Sequence, residues 1–312
     1  MATFHELQGS NVRRSLLLIG VIVGIAVAAG YFFGLFFFGD RPEGPFIGLG
    51  IAGAISIIMS LFSWFGGADL VLKISGAREI DPNHPRFRQL YNVVEEMKIA
   101  AGIPMPRVYV IEDPSPNAFA TGRKPEDGRI AVTTGLMEIL DREELQGVIA
   151  HEMAHIKNRD ILFATVVGIL VGMVAIISDM ARHGLFWGGM GRRNNDRGGG
   201  QAQAVLMVVG IVFLILAPIF AQLVRMAISR QREYLADASG AQFTRNPAGL
   251  ASALQKISGT PHKLARANHG TAHMYISNPF KGTSVSELFS THPPAKKRIE
   301  RLLSIGGAGP TT

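Results

Sequence analysis

The chain contains four long apolar stretches, and the rest of it is predominantly polar. The first, residues 16–38, has no charged side chain, and as an α-helix it covers about 34 Å, enough to cross a hydrocarbon core of about 30 Å. Residues 46–66 follow after a short polar loop, so the two stretches predict a helical hairpin. Residues 161–178 and 204–224 predict a second pair of hydrophobic helices, the last with Pro218 inside it. The pattern is typical of a mainly α-helical membrane protein.

The first apolar stretch has a competing interpretation as a cleavable signal peptide, because Arg13 and Arg14 precede it. The apolar region of a signal peptide is about 7–15 residues long. This stretch is longer and continues through bulky aromatic residues at 31–33 and 36–38. We therefore expect a retained membrane anchor.

The apolar pairs divide the chain into four parts. Residues 1–66 form an anchor with two transmembrane helices, and residues 67–160 form a first polar segment. Residues 161–224 form a second hydrophobic hairpin, with a Gly- and Arg-rich loop at 181–203, and residues 225–312 form a second polar segment. If both hairpins cross the bilayer completely, the two polar segments lie on the same side of the membrane.

Basic residues near the spans predict the orientation. Arg13 and Arg14 place the N-terminus inside, and an even number of spans returns both polar segments to the cytoplasm. The four arginines of the 181–203 loop oppose this, since the same topology sends that loop outside. Two explanations stay open: the rule is broken at this loop, or the hairpin at 161–224 does not cross completely.

The polar segment at 67–160 has the local signals of a small α+β domain. Apolar residues at helical spacing predict a helix over 87–101, and residues 107–111 and 129–133 predict short strands. The helix-forming apolar residues are Phe87, Leu90, Val94, Met97 and Ala101. We expect a mainly helical protein with a small β-sheet.

The amino-acid composition restricts the kinds of catalytic and metal site that the chain can form. The chain is 47% hydrophobic and 18% charged and has no cysteine, which excludes disulfide scaffolds, thiol nucleophiles and thiolate metal sites. A bound metal must therefore be held by histidines and carboxylates. The net charge of +7 arises mainly in residues 225–312, which hold 12 Lys and Arg against 4 Asp and Glu. Beside a membrane such an excess favours anionic lipid, the alternative for the run Lys296–Arg298 being a solvated helical face, and we expect no nucleic-acid partner.

A capped helix carries the candidate metal motif. Asp141 followed by Glu144 predicts the helix start, and the helix contains His151, Glu152 and His155 in the pattern HEMAH. Residues four apart share a helical face, so both imidazoles can bind one zinc ion, with Glu152 beside the water that the ion activates. The alternative is a pair of surface histidines on a polar helix. We expect one zinc ion per chain.

Two histidines leave a catalytic zinc one protein ligand short. Glu233 and Asp237 are also four residues apart on a predicted helix, which suits one metal ligand and one carboxylate that orients an imidazole. The alternative is a helical ion pair with Arg230 or Arg232. Because the second hydrophobic hairpin separates the two motifs, an antiparallel hairpin can return these acids to the histidines.

These motifs together resemble the HtpX family of membrane-integrated heat-shock zinc proteases and, more distantly, the CAAX prenyl endopeptidases. The resemblance rests on HEMAH at 151–155, SPNAFA at 115–120, REYLAD at 232–237 and THPPAKKRI at 291–299. It implies that the two polar segments form one zincin-like α+β protease domain. It also implies a cytoplasmic active site at the inner membrane, in contact with the lipid bilayer, and substrates that are unfolded, misfolded or damaged membrane proteins.

The resemblance also implies residue roles. Glu233 is then the third zinc ligand and Asp237 its outer partner, while Glu152 takes a proton from water and passes it to the leaving amine. His292 stabilises the tetrahedral intermediate, the alternative being a capping or surface histidine. The main chain at Asn117, Ala118 and Phe119 holds the substrate as an added strand, the alternative being a plain loop.

Two other classes of function compete with a protease. A multispan transporter predicts ionisable residues inside the spans, and the four apolar runs contain none apart from Asp179 at an edge. A catalytically silent zinc-binding membrane scaffold predicts loss of Glu152 or of the third ligand, and both candidate residues are present. The sequence therefore favours an enzyme.

Overall fold

The structure, a computed structural model, describes residues 4–39, 41–187, 201–260, 275–276 and 292–305. Its helices are α1 (Phe4–Phe38), α2 (Gly44–Ser75), α3 (Arg88–Ala101), α4 (Thr134–Ile139), α5 (Arg142–Lys157), α6 (Asp160–Trp187), α7 (Gln201–Thr244), α8 (Pro247–Gly259) and α9 (Ala295–Ile305). Its strands are β1 (Arg78–Glu79), β2 (Arg107–Ile111), β3 (Ala118–Thr121) and β4 (Arg129–Thr133). The prediction of a mainly helical protein with a small sheet is confirmed.

The chain forms two compact units. The polar unit comprises Met1–Ser15, Trp64–Ala164 and Ser229–Thr312, and the apolar unit comprises Leu16–Ser63 and Thr165–Ile228. Helices α1, α2, α6 and α7 each contribute residues to both units.

The sheet of the polar unit is mixed and has the strand order β1-β2-β4-β3. β2 runs parallel to β4, with Val108 opposite Ile130, while β1 and β3 are antiparallel to their neighbours. Alternate side chains of a strand point to opposite faces. Accordingly Val108 and Ile130 belong to the main hydrophobic core, whereas Tyr109 and Ala131 belong to a smaller cluster on the other face.

Helices α3, α5, α8 and α9 supply the rest of the main core. Each contributes apolar residues at helical spacing to the buried cluster that also contains the side chains of this sheet face; examples are Val93, Val94, Val148, Met153, Leu254 and Leu302. Burying such side chains contributes roughly 1.5–3 kcal/mol each, which makes this core the main source of stability of the polar unit.

The sequence signals of the polar unit agree with its structure. α3 ends at Ala101, and β2 and β4 have the bounds expected from the apolar pattern. α5 begins at Arg142, after a capping box in which Asp141 accepts a hydrogen bond from the amide of Glu144 and the Glu144 side chain accepts one from the amide of Asp141. This box contributes about 1 kcal/mol and holds the start of the helix that carries the metal motif.

The apolar unit has its own hydrophobic core, to which α1, α2, α6 and α7 all contribute. Buried members include Ile22, Ala29, Phe33, Ala52, Val174, Ile177, Leu214 and Ala221. α1 and α2 approach closely at glycines: a Cβ at Gly34 would lie 2.3 Å from the carbonyl oxygen of Gly44, and one at Gly48 would lie 2.2 Å from that of Gly30. Only residues without a side chain permit this contact.

Each predicted apolar stretch lies within one of these four helices. Among the residues whose side chains are described, two helices are long and apolar enough to cross a membrane, at Gly20–Phe38 and Val208–Thr244, and Gly44–Met59 is a shorter apolar helix. α6 continues to Trp187, beyond the apolar stretch that ends at residue 178; in this extension Arg182 pairs with Asp179 and His183 contacts the Asp179 carbonyl. Residues 188–200 of the predicted Gly- and Arg-rich loop lie outside the described residues.

Candidate metal centre

Helix α5 places the two histidines of HEMAH side by side. The Nε2 atoms of His151 and His155 lie 3.1 Å apart, one helical turn from each other. The side chain of His151 is fully buried and that of His155 is 15% exposed. The arrangement differs from a pair of solvated surface histidines, because both rings point into the polar unit.

Glu233 of α7 completes a group of three possible metal ligands. Its Oε1 lies 3.4 Å from Nε2 of His155, and its Oε2 lies 3.7 Å from Nε2 of His151. Ligand atoms about 2.0–2.2 Å from one zinc ion at tetrahedral angles lie about 3.3–3.6 Å from one another. The spacing of these three side chains therefore fits one metal ion.

Each histidine has a carboxylate on its other nitrogen. Nδ1 of His151 lies 3.0 Å from Oδ1 of Asp237, and Nδ1 of His155 lies 2.7 Å from Oδ2 of Asp160. If each Nδ1–H donates to its carboxylate, both Nε2 lone pairs face the common point. This is the tautomer that a metal ion needs, so the outer contacts fit a metal centre as well as the ligands do.

Arg298 of α9 contacts the group of candidate ligands. Its guanidinium donates to both oxygens of Asp237, at 2.9 and 2.7 Å, lies 3.2 Å from Oε2 of Glu233, and donates to the carbonyl of Ile276 at 3.0 Å. The sequence suggested that the run Lys296–Arg298 is a solvated basic face, and for Arg298 this is wrong. Its side chain is 2% exposed, because Arg298 lies on the same helical face as the buried Leu302.

Glu152 is buried next to the group of ligands. Neither of its carboxylate oxygens meets hydrogen-bond geometry with a partner among the described residues. Burial raises the pKa of Glu152 to about 7; the neighbouring charge of Glu233 adds to this effect, and the charges of His155 and Arg298 partly offset it. A carboxylate with such a pKa can accept and return a proton near neutral pH.

Two of the candidate ligands, His155 and Glu233, are held in opposite charge states when no metal is bound. Burial opposes the charged form of His155, but hydrogen bonds with Asp160 and Glu233 hold its pKa well above the usual range. Burial likewise opposes ionisation of Glu233, but the charges of His292 and Arg298 hold its pKa well below the usual range. Glu233 is therefore an anion, as a ligand for a cation must be.

The structure brings His292 into the same group. Its Nδ1 lies 3.2 Å from Oε2 of Glu233, and its side chain is 7% exposed. A histidine at the surface does not have these contacts. His292 thus lies within the same cluster of side chains, although its position in the sequence gave no geometric reason to expect this.

Strand β3 contains two of the three residues expected to hold a substrate. Asn117 precedes the strand, Ala118 and Phe119 begin it, and β3 lies at the edge of the sheet. The side chains of Asn117 and Phe119 are buried, and the main chain of Asn117 is bonded to Thr133: its N–H donates to Oγ1 at 2.8 Å and its carbonyl accepts the N–H of Thr133 at 3.0 Å. The carbonyl of Ala118 already accepts the N–H of Ile276 at 2.9 Å, and Tyr275 bridges to Phe119.

Three residues of this centre were not expected from the sequence: Asp160, Arg232 and Arg298. Asp160 binds His155 and pairs with Arg232, and Arg298 binds Asp237. The sequence offered a usable signal only for Arg298, which lies four residues before the apolar Leu302 in an amphipathic helix. Asp160 follows a turn, and no spacing rule predicts its direction.

Comparison with known proteins identifies similar chains. Residues 84–305 match the model of peptidase family M48. A "Protease HtpX homolog" of Caldanaerobacter subterraneus subsp. tengcongensis is 46% identical over 308 residues, covering 97% of this chain and 98% of that protein. A "Protease HtpX homolog" of Tropheryma whipplei strain TW08/27 is 47% identical over 301 residues, covering 95% of this chain and 96% of that protein.

A solved structure is similar in fold. The crystal structure of S. mikatae Ste24p superposes with a TM-score of 0.53 at 18% sequence identity. The match covers 95% of this chain but 66% of the Ste24p chain, so this chain is similar to about two thirds of that protein. At this identity the likeness concerns the fold alone.

Proposed function

Since the chain belongs to peptidase family M48, as a metalloprotease of the HtpX type, we propose that it is a zinc-dependent endopeptidase of the inner membrane. Its proposed substrates are misfolded or damaged membrane proteins, cleaved at the cytoplasmic face as part of heat-shock quality control. One observation carries the proposal: His151, His155 and Glu233 offer ligand atoms within 4.8 Å of one another, with Glu152 beside them.

The donor set favours zinc. Two imidazoles and one carboxylate leave a fourth tetrahedral position for water, as in other zinc proteases, and we propose one ion per chain. When bound, zinc supplies an acidified water and polarises the scissile carbonyl. His151 and His155 present their Nε2 atoms because Asp237 and Asp160 accept hydrogen bonds from their Nδ1 atoms.

Glu152 is the proposed general base. Its carboxylate takes a proton from the attacking water and passes it to the leaving amine, and a pKa of about 7 suits both transfers. His292 is the proposed donor to the oxygen of the tetrahedral intermediate, since its ring lies against Glu233 at the edge of the ligand group. Both side chains belong to the polar unit, as the ligands do.

The proposed substrate site is the main chain at Asn117, Ala118 and Phe119, where β3 begins. A substrate held as an added strand is recognised through backbone hydrogen bonds, which suits an enzyme that must accept many unfolded sequences. Because Ile276 donates to the carbonyl of Ala118, a substrate strand that uses this carbonyl has to displace Ile276. A substrate that leaves Ile276 in place can pair only with the other backbone groups of the strand.

The proposed membrane arrangement has four crossings, by α1, α2, α6 and α7. Two described helices have the length and apolar character for this, and the remaining two apolar stretches are supported by hydropathy alone. Arg13 and Arg14 favour a cytoplasmic N-terminus, and four crossings then leave residues 67–160 and 225–312 on the cytoplasmic side.

The test is cleavage of an unfolded, casein-type protein by the full chain purified in detergent, together with its zinc content. Glu152→Gln should abolish cleavage and retain zinc, because Glu152 is not a ligand. The matched control is Glu138→Gln, which changes an exposed glutamate of α4 and should cleave normally.

Zinc near one per chain, with cleavage lost only in Glu152→Gln, supports both the metal and the role of Glu152. Retained turnover in that variant contradicts the proposed mechanism. A native chain that binds no zinc contradicts the proposed metal centre as a whole.

A further inference from the structure

Asp160 occupies a turn that directs its side chain back to the metal centre. α5 ends with Asn158 at its C-cap, Arg159 adopts a left-handed conformation with φ of 55°, and α6 begins at Asp160. The reversal places Oδ2 of Asp160 2.7 Å from Nδ1 of His155. The carboxylate is 7% exposed, so this contact is shielded from water.

Arg232 holds Asp160 from the opposite side. Its guanidinium forms a buried ion pair with Oδ1 of Asp160 and donates to the carbonyl of Asn158 at 2.9 Å. One arginine therefore binds both the carbonyl of the C-cap residue of α5 and the first side chain of α6. Arg232 directly precedes Glu233 in α7, so the same turn of helix positions both the partner of Asp160 and the third candidate ligand.

We propose that Asp160 is a positioning residue of the metal centre, with Arg232 as its anchor. Asp160 fixes the tautomer and the ring direction of His155, so that Nε2 of that ring faces the shared ligand point. This inference rests on the proposed function, because it assumes that His151, His155 and Glu233 hold a metal ion. It adds a second oriented imidazole to the one that Asp237 orients.

The physical reason lies in the ring nitrogens of His155. A carboxylate that accepts Nδ1–H reserves Nε2 for the metal once the ring gives up its second proton, makes that nitrogen more basic, and restricts rotation of the ring. Without Asp160, either nitrogen of His155 can carry the proton and the ring has more freedom to turn. Zinc binding must then select one tautomer and one orientation from several, which weakens the affinity.

A merely structural ion pair predicts a different result. Asp127 pairs with Arg107, Arg123 and Arg129, none of which contacts a candidate ligand among the described residues. Removing its carboxylate should lower stability and leave zinc affinity unchanged. Asp127→Asn is therefore the matched control for Asp160→Asn.

The experiment measures the zinc dissociation constant of the full chain in detergent, by competition with a chromophoric chelator. Asp160→Asn is expected to bind zinc about 10–100-fold more weakly than the native chain, the usual effect of losing an outer partner of a ligating histidine. Asp160→Glu keeps a carboxylate and should recover part of the affinity. Thermal unfolding of the metal-free proteins separates folding from zinc binding.

Native zinc affinity in Asp160→Asn overturns the inference, whatever its stability. If that variant does not fold, Arg232→Gln replaces it: weakened zinc binding supports the inference, and unchanged binding overturns it. A native chain without zinc affinity contradicts the proposed function itself. The two failures are thus distinguishable.

Discussion

Arg298 donates two hydrogen bonds to Asp237, at 2.9 and 2.7 Å, across 61 positions of sequence. Both side chains are buried, and the same Asp237 lies 3.0 Å from Nδ1 of His151. A residue of α9 therefore holds the carboxylate that orients a candidate ligand of α5. Helix α9 is part of the metal centre, although it carries no proposed ligand.

Arg298→Met should destabilise the protein strongly. Removing one partner of a buried ion pair leaves the other charge unpaired, which costs about 3–5 kcal/mol. The measurement is the free energy of unfolding by chemical denaturation in detergent. The control is Arg301→Met on the same helix, because Arg301 is exposed and lies 4.0 Å above the ring of Tyr234, a contact of about 0.5–1 kcal/mol. Equal losses in the two variants would contradict the buried role of Arg298.

Removal of the metal should lower the melting temperature. A ligand that binds only the folded chain stabilises it by about 2.7 kcal/mol when its free concentration is 100 times the dissociation constant. Thermal unfolding with and without zinc should therefore show a shift in the native chain. His151→Gln should lose that shift, whereas His84→Gln, which changes an exposed histidine, should keep it. A shift that persists in His151→Gln means that zinc acts elsewhere.

Asp127 should contribute stability that depends on pH. Burial opposes its ionisation, but a hydrogen bond from Arg123 and the charges of Arg129 and Arg107 hold its pKa below the usual 3.8. A lowered pKa stabilises the folded chain above pH 3.8, and this contribution is lost as the pH falls through the folded value. Asp127→Asn should cost about 1 kcal/mol at pH 7 and progressively less below pH 3.8.

Chemical denaturation of the native chain and of Asp127→Asn, each at pH 7 and near pH 3, measures the stability that the carboxylate contributes at each pH. Glu112→Gln is the control, since its exposed ion pair with Arg86 should contribute little at either pH. A stability difference for Asp127→Asn that does not change with pH would rule out the ionised carboxylate as its cause.

Gly147→Ala should separate helices α5 and α8. A Cβ at Gly147 would lie 2.7 Å from the backbone nitrogen of Leu250 and 2.8 Å from its Cα, and backbone atoms cannot rotate away. Such overpacking typically costs about 1–3 kcal/mol. Gly259→Ala is the control, because a Cβ there has no neighbour within 4 Å among the described residues. Equal stability of the two variants would contradict the close approach.

The sequence was informative wherever a signal is local. His151 and His155 are four residues apart, and Asp141 and Glu144 are three apart, so helical geometry alone relates the members of each pair. The strands at β2 and β4 are rich in β-branched residues and have the expected bounds. The pairing of β2 with β4, rather than with the intervening β3, depends on packing and was not predicted.

The sequence was uninformative where distant segments meet. Arg298 belongs to a basic run whose other members, Lys296 and Lys297, are exposed, and only its partner 61 positions away distinguishes it. Asp160 depends on the left-handed turn at Arg159, a conformation that non-glycine residues rarely adopt. Both residues act through contacts that no short-range pattern records.

The formal charges of the buried arginines and acids around the metal centre can be added together. Among the described residues around the metal centre, Glu152, Asp160, Glu233 and Asp237 contribute four negative charges when ionised, and Arg232 and Arg298 contribute two positive ones. The sum, −4 + 2, is −2. With Glu152 ionised and the imidazoles neutral, one divalent cation would bring this sum to zero, and such compensation matters because uncompensated charge in a protein interior is costly. The two arginines thus help to match the centre to the valence of its ion.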